Sequence, residues 1–125
     1  MGVNMGWMKV LYPNGTELAI RRSKEPEPKE LRTFLNGGYV EVVWVLHNGK
    51  RAQLVVDEEG HLKNLPFNSN ATAIYRATAE YMAKQYKEQG VPITIVPKEA
   101  VILGVAILAL MAWRIWREVN KDGTQ

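Results

Sequence analysis

The most constraining feature of this 125-residue sequence is a run of β-branched and aromatic residues followed at once by a tight-turn dipeptide. Residues 39–47 read Tyr-Val-Glu-Val-Val-Trp-Val-Leu-His, and such residues favour the pleated, half-buried surface of a β-strand. Asn48 and Gly49 come next, and both tolerate the positive φ that a two-residue type I′ turn requires. The pattern predicts a β-hairpin in which residues 51–57 return antiparallel to residues 39–47, a strand that we expect in the centre of the sheet.

A second hairpin and a short helix are predicted before this one. Residues 7–11 and 17–22 flank a Pro-Asn-Gly turn, so they are predicted to form an antiparallel pair. Pro28 suits the first turn of a helix because its missing N–H would have no partner there. Apolar residues at i, i+3 and i+4 then predict a short helix over residues 28–35.

The main helix is predicted over residues 71–89. Its apolar residues recur at helical spacing, and the segment lies between a typical N-cap residue, Asn70, and a typical helix stop, Gly90. Residues 91–96 follow and are predicted to form a further short strand.

An apolar stretch near the end of the chain, residues 100–113, belongs in a membrane or in a protein core. A membrane helix needs about 20 apolar residues, whereas runs of about 10–14 are more often buried in protein. We therefore predict a buried strand over residues 101–108 that leads into a short terminal helix. The alternative is a tail anchor through residues 100–117, because Trp113 and Trp116 with their neighbouring arginines resemble an interfacial belt.

Together these elements predict an α+β fold: a mostly antiparallel sheet of about five or six strands, one main helix packed on a face, and a short C-terminal helix. The length suits a single domain, which we place at residues 1–111, with a C-terminal helix or tail at 112–125. An exposed strand edge, or a tail surface carrying Trp113 and Trp116, would need a partner. We therefore expect a homo-oligomer.

Composition argues against several kinds of site. The chain has no cysteine, which excludes a disulfide framework and a cysteine nucleophile. A zinc site would have to rest on His47 and His61 with carboxylates, a sparse set of ligands. Ser23 and Ser69 do not lie in a Gly-x-Ser-x-Gly elbow. We expect no catalytic residues, no metal and no cofactor.

Charge argues against a polyanion partner. Sixteen basic and thirteen acidic residues give a formal charge of +3, and the two signs are interspersed along the chain. This arrangement is typical of a solvated surface and lacks the basic stripe of a nucleic-acid-binding face. We do not expect nucleic acid as a partner.

The strongest candidate binding segment is residues 68–76. It leads into the predicted main helix, and the free N–H groups of a helix N-terminus favour anions. Asn68, Asn70 and Thr72, with Arg76 one turn later, form a candidate cradle for a phosphate. The alternative is that Asn70 simply caps the helix.

Two acidic features are further candidates. Glu41 lies within an apolar strand, where a carboxylate could hold a ligand or a guanidinium group; the alternative is an outward-facing residue that alternates with inward Val40 and Val42. Residues 57–61, Asp-Glu-Glu-Gly-His, place three carboxylates and an imidazole within five residues, which suggests a hard-cation site or an acid-base pair. An acidic turn that ends in glycine is also ordinary hairpin chemistry, and we favour that interpretation.

Several of these motifs occur in a recognisable order between residues 9 and 72. They are Gly37-Gly38-Tyr39-Val40-Glu41-Val42-Val43, the Asn48-Gly49 turn, and residues 57–72, Asp-Glu-Glu-Gly-His-Leu-Lys-Asn-Leu-Pro-Phe-Asn-Ser-Asn-Ala-Thr. In this order they resemble a family of small phage and prophage proteins that is classed as a domain of unknown function. The chain departs from the pattern at Ser69-Asn70, where a proline and a basic residue are common, and in its tryptophan-rich tail.

The resemblance implies a small, phage-encoded, non-catalytic binding protein in the host cell cytoplasm. Such a protein would act on the host, in anti-defence or host takeover, by binding a host protein or by sequestering a nucleotide-like signal near residues 68–76. Two alternatives are a C-terminally tail-anchored membrane protein and a nucleic-acid-associated phage accessory protein.

Overall fold

A computed structural model describes residues 6–24, 26–35, 37, 39–90 and 101–110. In this part of the chain the elements are β1 (Gly6–Leu11), β2 (Glu17–Arg22), α1 (Pro28–Phe34), β3 (Val40–His47), β4 (Lys50–Asp57), α2 (Ser69–Glu88) and β5 (Ala106–Leu110). The strands form one five-stranded sheet in the order β2-β1-β5-β4-β3, and all neighbours are antiparallel. The predicted α+β class with a mostly antiparallel sheet is confirmed.

Both predicted hairpins are confirmed. β3 and β4 pair from Val40 opposite Asp57 to His47 opposite Lys50. Asn48 has a φ of 54° and Gly49 a φ of 77°, which are the two positive values that a type I′ turn requires. Turn chemistry alone therefore determined this register.

The central strand is β5, so the prediction that residues 39–47 lie in the centre of the sheet was wrong. β5 pairs with β1 on one side and with β4 on the other, whereas β3 is an edge strand. Residues 106–108 are 0% exposed. A strand buried on both faces needs a continuous apolar run, and the β5 sequence provides one. β3 carries Glu41 and the partly exposed Trp44, which an edge position tolerates.

The apolar stretch that suggested either a core strand or an anchor lies partly in this central strand. The described strand runs from Ala106 to Leu110, so it begins five residues later than the predicted strand at 101–108 and shares three residues with it. No helix among the described residues is long and apolar enough to cross a membrane. The predicted strand at 91–96, the predicted C-terminal helix, Trp113 and Trp116 lie outside the described residues.

Each face of the sheet carries a helix. On one face, Leu31 and Leu35 of the α1 segment pack with Met8, Val10, Val55 and Ile107. On the other face, α2 contributes Ala71, Ile74 and Tyr75 to a cluster with Leu11, Val45, Leu54 and Leu108. Consecutive β5 residues alternate between the two clusters, as the side chains of a strand must.

The loop before α2 is joined to the segment before β5 by backbone hydrogen bonds. Phe67 forms an isolated antiparallel bridge with Leu103. The Asn68 N–H donates to the Ile102 carbonyl at 2.9 Å, and the Gly104 N–H donates to the Pro66 carbonyl at 2.7 Å. These bonds place the start of α2 beside the entry to the central strand.

We expect Gly104→Ala to lower the free energy of unfolding by about 2 kcal/mol, because an L-residue in the left-handed region costs roughly 1–2 kcal/mol and a crowded side chain adds to it. Gly104 has a φ of +83°, and a Cβ there would lie 2.7 Å from Leu65 Cδ1. Equilibrium urea denaturation measures the change. Gly15→Ala is the matched control, since Gly15 has a φ of +92° but a Cβ added to it would meet no atom within 4 Å. Equal losses in the two variants would show that the approach to Leu65 contributes nothing.

Candidate functional site

Helix α2 begins two residues earlier than predicted, and the N-cap is Asn68. Asn68 has the extended backbone of an N-cap, with a φ of −111° and a ψ of 100°. Its Oδ1 accepts a hydrogen bond from the Ala71 N–H at 3.1 Å. The assignment of Asn70 as N-cap was therefore wrong, because Asn70 already lies inside the first turn.

Asn68 also links the helix to the sheet. Its side chain is 0% exposed, and its Nδ2 donates to the carbonyls of Leu11, at 2.9 Å, and Gly104, at 2.8 Å. Both donors and the oxygen of this amide therefore have partners inside the protein. A ligand could reach Asn68 only by displacing them.

Thr72 is occupied in a similar way. It is 2% exposed, and its Oγ1 accepts a hydrogen bond from the Ile102 N–H at 2.8 Å. Asn68 and Thr72 thus both form hydrogen bonds with the segment that precedes β5. The Leu-Pro-Phe-Asn-Ser-Asn-Ala-Thr motif consequently has a structural role, which is to attach α2 to the entry of the central strand.

The other two residues of the predicted anion cradle lie elsewhere on α2. Asn70 donates from Nδ2 to Glu17 Oε2 at 2.9 Å, and Lys9 Nζ lies 3.6 Å from Glu17 Oε1. A carboxylate therefore already lies beside the first turn of α2, where it complements the helix dipole and opposes a second anion. Arg76 is half-buried one turn further along. Anion binding by these four residues stays a prediction.

Glu41 lies in a different place, at the rim of a cleft. It is an exposed residue of β3, and it stands opposite Val56 on the sheet face that carries α2. Val42 packs on the other face, beside α1. The cleft has a volume of about 220 Å³, and its walls include Glu41, Val43, Val56, Glu58, His61 and Tyr75.

Three carboxylates line this cleft, those of Glu41, Asp57 and Glu58. Asp57 is 7% exposed; its Oδ2 accepts from Lys63 Nζ at 2.7 Å, and its Oδ1 accepts from the Glu59 N–H at 2.8 Å. Asp57 therefore closes the acidic turn, as the turn interpretation expects. Glu41 and Glu58 are exposed and form no ion pair with another described residue.

A metal site does not emerge from these acids. Within the described ranges, no three His, Cys, Asp or Glu side chains converge as metal ligands. The cleft instead combines the apolar side chains of Val43 and Val56 and the ring of Tyr75 with two exposed carboxylates, Glu41 and Glu58. Such a site suits a long cationic side chain, whose methylene groups pack on apolar surface while its charged end meets a carboxylate.

Sequence reasoning found only part of this cleft. Glu41 was a candidate, and Glu58 and His61 were recognised as members of an acidic turn. Tyr75 was not assigned to this cleft, because helical spacing alone does not show which tyrosines of α2 face the sheet. The three segments meet only through tertiary structure.

Comparison with known proteins does not identify a family for this chain. No family model, no curated protein and no solved structure matches the chain. The resemblance to phage proteins stays a prediction from motifs.

Proposed function

We propose that this chain is a small, phage-encoded, non-catalytic binding protein that acts in the host cytoplasm by occupying a host protein. Its cleft between β3, the turn after β4 and α2 holds an arginine or lysine side chain of that partner. The observation that carries the proposal is that one cleft is lined by apolar side chains, among them Val43 and Val56, and by two exposed carboxylates, Glu41 and Glu58.

The physical argument rests on desolvation and charge. A bound arginine would place its methylene groups against Val43, Val56 and Tyr75, and this removes apolar surface from water. Its guanidinium would then meet Glu41 and Glu58, and charge-assisted hydrogen bonds are among the stronger ones in proteins. The chain as a whole is cationic, with a charge of +3. The acidic cleft is therefore a local feature that supplies specificity.

The cleft favours a host protein over a nucleotide-like signal. A phosphate at residues 68–76 would compete with the internal hydrogen bonds of Asn68 and Thr72. It would also meet the carboxylate of Glu17 beside Asn70. Within the described part of the chain, neither a tail anchor nor nucleic-acid binding has a comparable supporting feature.

We expect an arginine peptide to bind at the cleft. Isotope-labelled protein is titrated with acetyl-Gly-Ser-Arg-Ser-Gly-amide, and amide shifts should concentrate at Glu41, His61 and Tyr75. The same peptide with citrulline, a neutral isostere of arginine, should bind weakly. The double variant E41Q/E58Q should bind the arginine peptide at least about tenfold more weakly, since a hydrogen bond to a charged group contributes roughly 1.5–3 kcal/mol.

Glu88→Gln is the control variant, because Glu88 is an exposed acid at the far end of α2. It should bind the arginine peptide as the wild type does. In capture experiments from host lysate, a partner retained by E88Q and lost by E41Q/E58Q would support the proposal. Equal binding of the arginine and citrulline peptides, or unchanged binding by E41Q/E58Q, would refute it.

A further inference from the structure

Strand β2 forms the end of the sheet opposite β3, and no described residue pairs with its outer edge. The Tyr12 N–H donates to the Thr16 carbonyl at 2.9 Å, which sets the alternation of the β1–β2 ladder. Leu18 and Ile20 therefore bond to β1. The N–H and C=O groups of alternate β2 residues, Glu17, Ala19 and Arg21, point away from the sheet.

The outer edge of β2 is complementary to itself. If two copies pair antiparallel about a two-fold axis through Ala19, Glu17 lies directly opposite Arg21 of the second copy. Leu18 then lies opposite Ile20, and the small Ala19 meets its own equivalent. Two residues of opposite charge that face each other across an antiparallel pair stabilise it. Here the two-fold axis produces two such pairs, each of one glutamate and one arginine.

The same register also provides hydrogen-bond partners for the outward-pointing backbone groups of β2. The three outward-pointing residues, Glu17, Ala19 and Arg21, are the ones that face each other, so every free N–H and C=O among them gains a partner. On the other side of the strand, Leu18 is 47% exposed. Pairing with Ile20 of the second copy would cover part of this apolar surface.

The opposite edge of the sheet, β3, is less available for pairing with a second copy. The Leu46 N–H of β3 donates to Thr78 Oγ1 of α2 at 2.9 Å, so a side chain already occupies an outward-pointing donor there. Charged residues on an edge strand usually prevent pairing. On β2, however, the charges at positions 17 and 21 are opposite, so antiparallel self-pairing brings attraction and not repulsion.

We propose that the protein is a two-fold dimer in which the β2 strands of two copies pair antiparallel and form one continuous ten-stranded sheet. The interface is isologous, as in most homodimers. It lies at the opposite end of the sheet from Glu41, so the β2 interface does not cover the cleft of either copy. This inference does not depend on the function proposed for the cleft.

The first test measures the mass of the full chain in solution by light scattering over a wide range of concentration. We expect twice the monomer mass of 14.2 kDa. Glu17→Arg and Arg21→Glu should each weaken the dimer roughly tenfold or more, because each puts like charges opposite one another. The double variant E17R/R21E restores opposite charges and should dimerise again. Thermal unfolding of each variant checks that the fold is retained, since Glu17 also contacts Asn70.

The second test uses the absence of cysteine from the chain. In the proposed register, Ala19→Cys faces its own equivalent at a Cα separation of about 5.5 Å, which a disulfide can span. Leu18→Cys is the control, because its equivalents would be about 7–8 Å apart on the diagonal, which is too far. Mild oxidation should cross-link A19C and leave L18C monomeric on a denaturing gel.

Two outcomes would overturn the proposal. One is a wild-type chain that stays monomeric at every concentration. The other is a dimer that tolerates E17R and R21E and is not cross-linked through A19C, because such a dimer would use a different surface.

Discussion

We expect Asn68→Ala to lower the free energy of unfolding by about 3 kcal/mol, the sum of three buried hydrogen bonds at roughly 1 kcal/mol each. The side chain caps α2 through Ala71 and donates to the carbonyls of Leu11 and Gly104. For a domain of this size the loss corresponds to a fall in melting temperature of roughly 10 °C. Urea denaturation and calorimetry measure both quantities.

Asn70→Ala is the matched control, since it removes the same side chain from the first turn of the same helix. Asn70 makes one exposed hydrogen bond, to Glu17, and its loss should cost no more than about 0.5 kcal/mol. Asn68→Asp separates the two roles of Asn68, because it keeps a capping oxygen and loses both donors. If N68D were as stable as the wild type, the bonds to Leu11 and Gly104 would contribute nothing.

We expect Leu108→Ala to lower the free energy of unfolding by about 3 kcal/mol, within the range for a buried leucine that leaves a cavity. Leu108 is 0% exposed in the central strand and belongs to the cluster beneath α2. The loss should appear as a lower urea midpoint with an unchanged slope, because the folded and unfolded states keep their compactness.

Leu18→Ala is the control for the same change at an exposed position. Leu18 lies on the edge strand β2 and is 47% exposed, so its truncation in the monomer should change stability by no more than about 0.5 kcal/mol. If Leu108→Ala were equally mild, the segment from residue 100 would not be part of the folded core. A tail anchor through residues 100–117 would then become the better interpretation.

Local elements were predictable from the sequence because their causes are local. The Asn48-Gly49 turn determines the register of β3 and β4 through the backbone conformation of two adjacent residues. Apolar spacing located α1 and most of α2, since a helix buries residues three or four apart. The start of α2 was misplaced, because Asn68 and Asn70 have equal intrinsic preference for an N-cap.

The choice between these two asparagines depends on groups that are distant in sequence. Asn68 reaches a carbonyl 57 residues earlier and another 36 residues later, and no local pattern contains that information. The position of β5 between β1 and β4 was unpredictable for the same reason. Strand propensity shows how well a residue suits a sheet, whereas the difference between a central and an edge strand depends on packing against neighbours that are distant in sequence.

The sequence by itself determined the α+β class, both hairpins and the existence of two helices in the described chain, because turn geometry and side-chain periodicity act between near neighbours. Only the tertiary structure decided that β5 is central, that Asn68 faces inward, and that Glu41, Glu58 and Tyr75 share a cleft. These features join segments that are far apart in the chain. The segments come together because packing of their apolar residues against the sheet removes apolar surface from water.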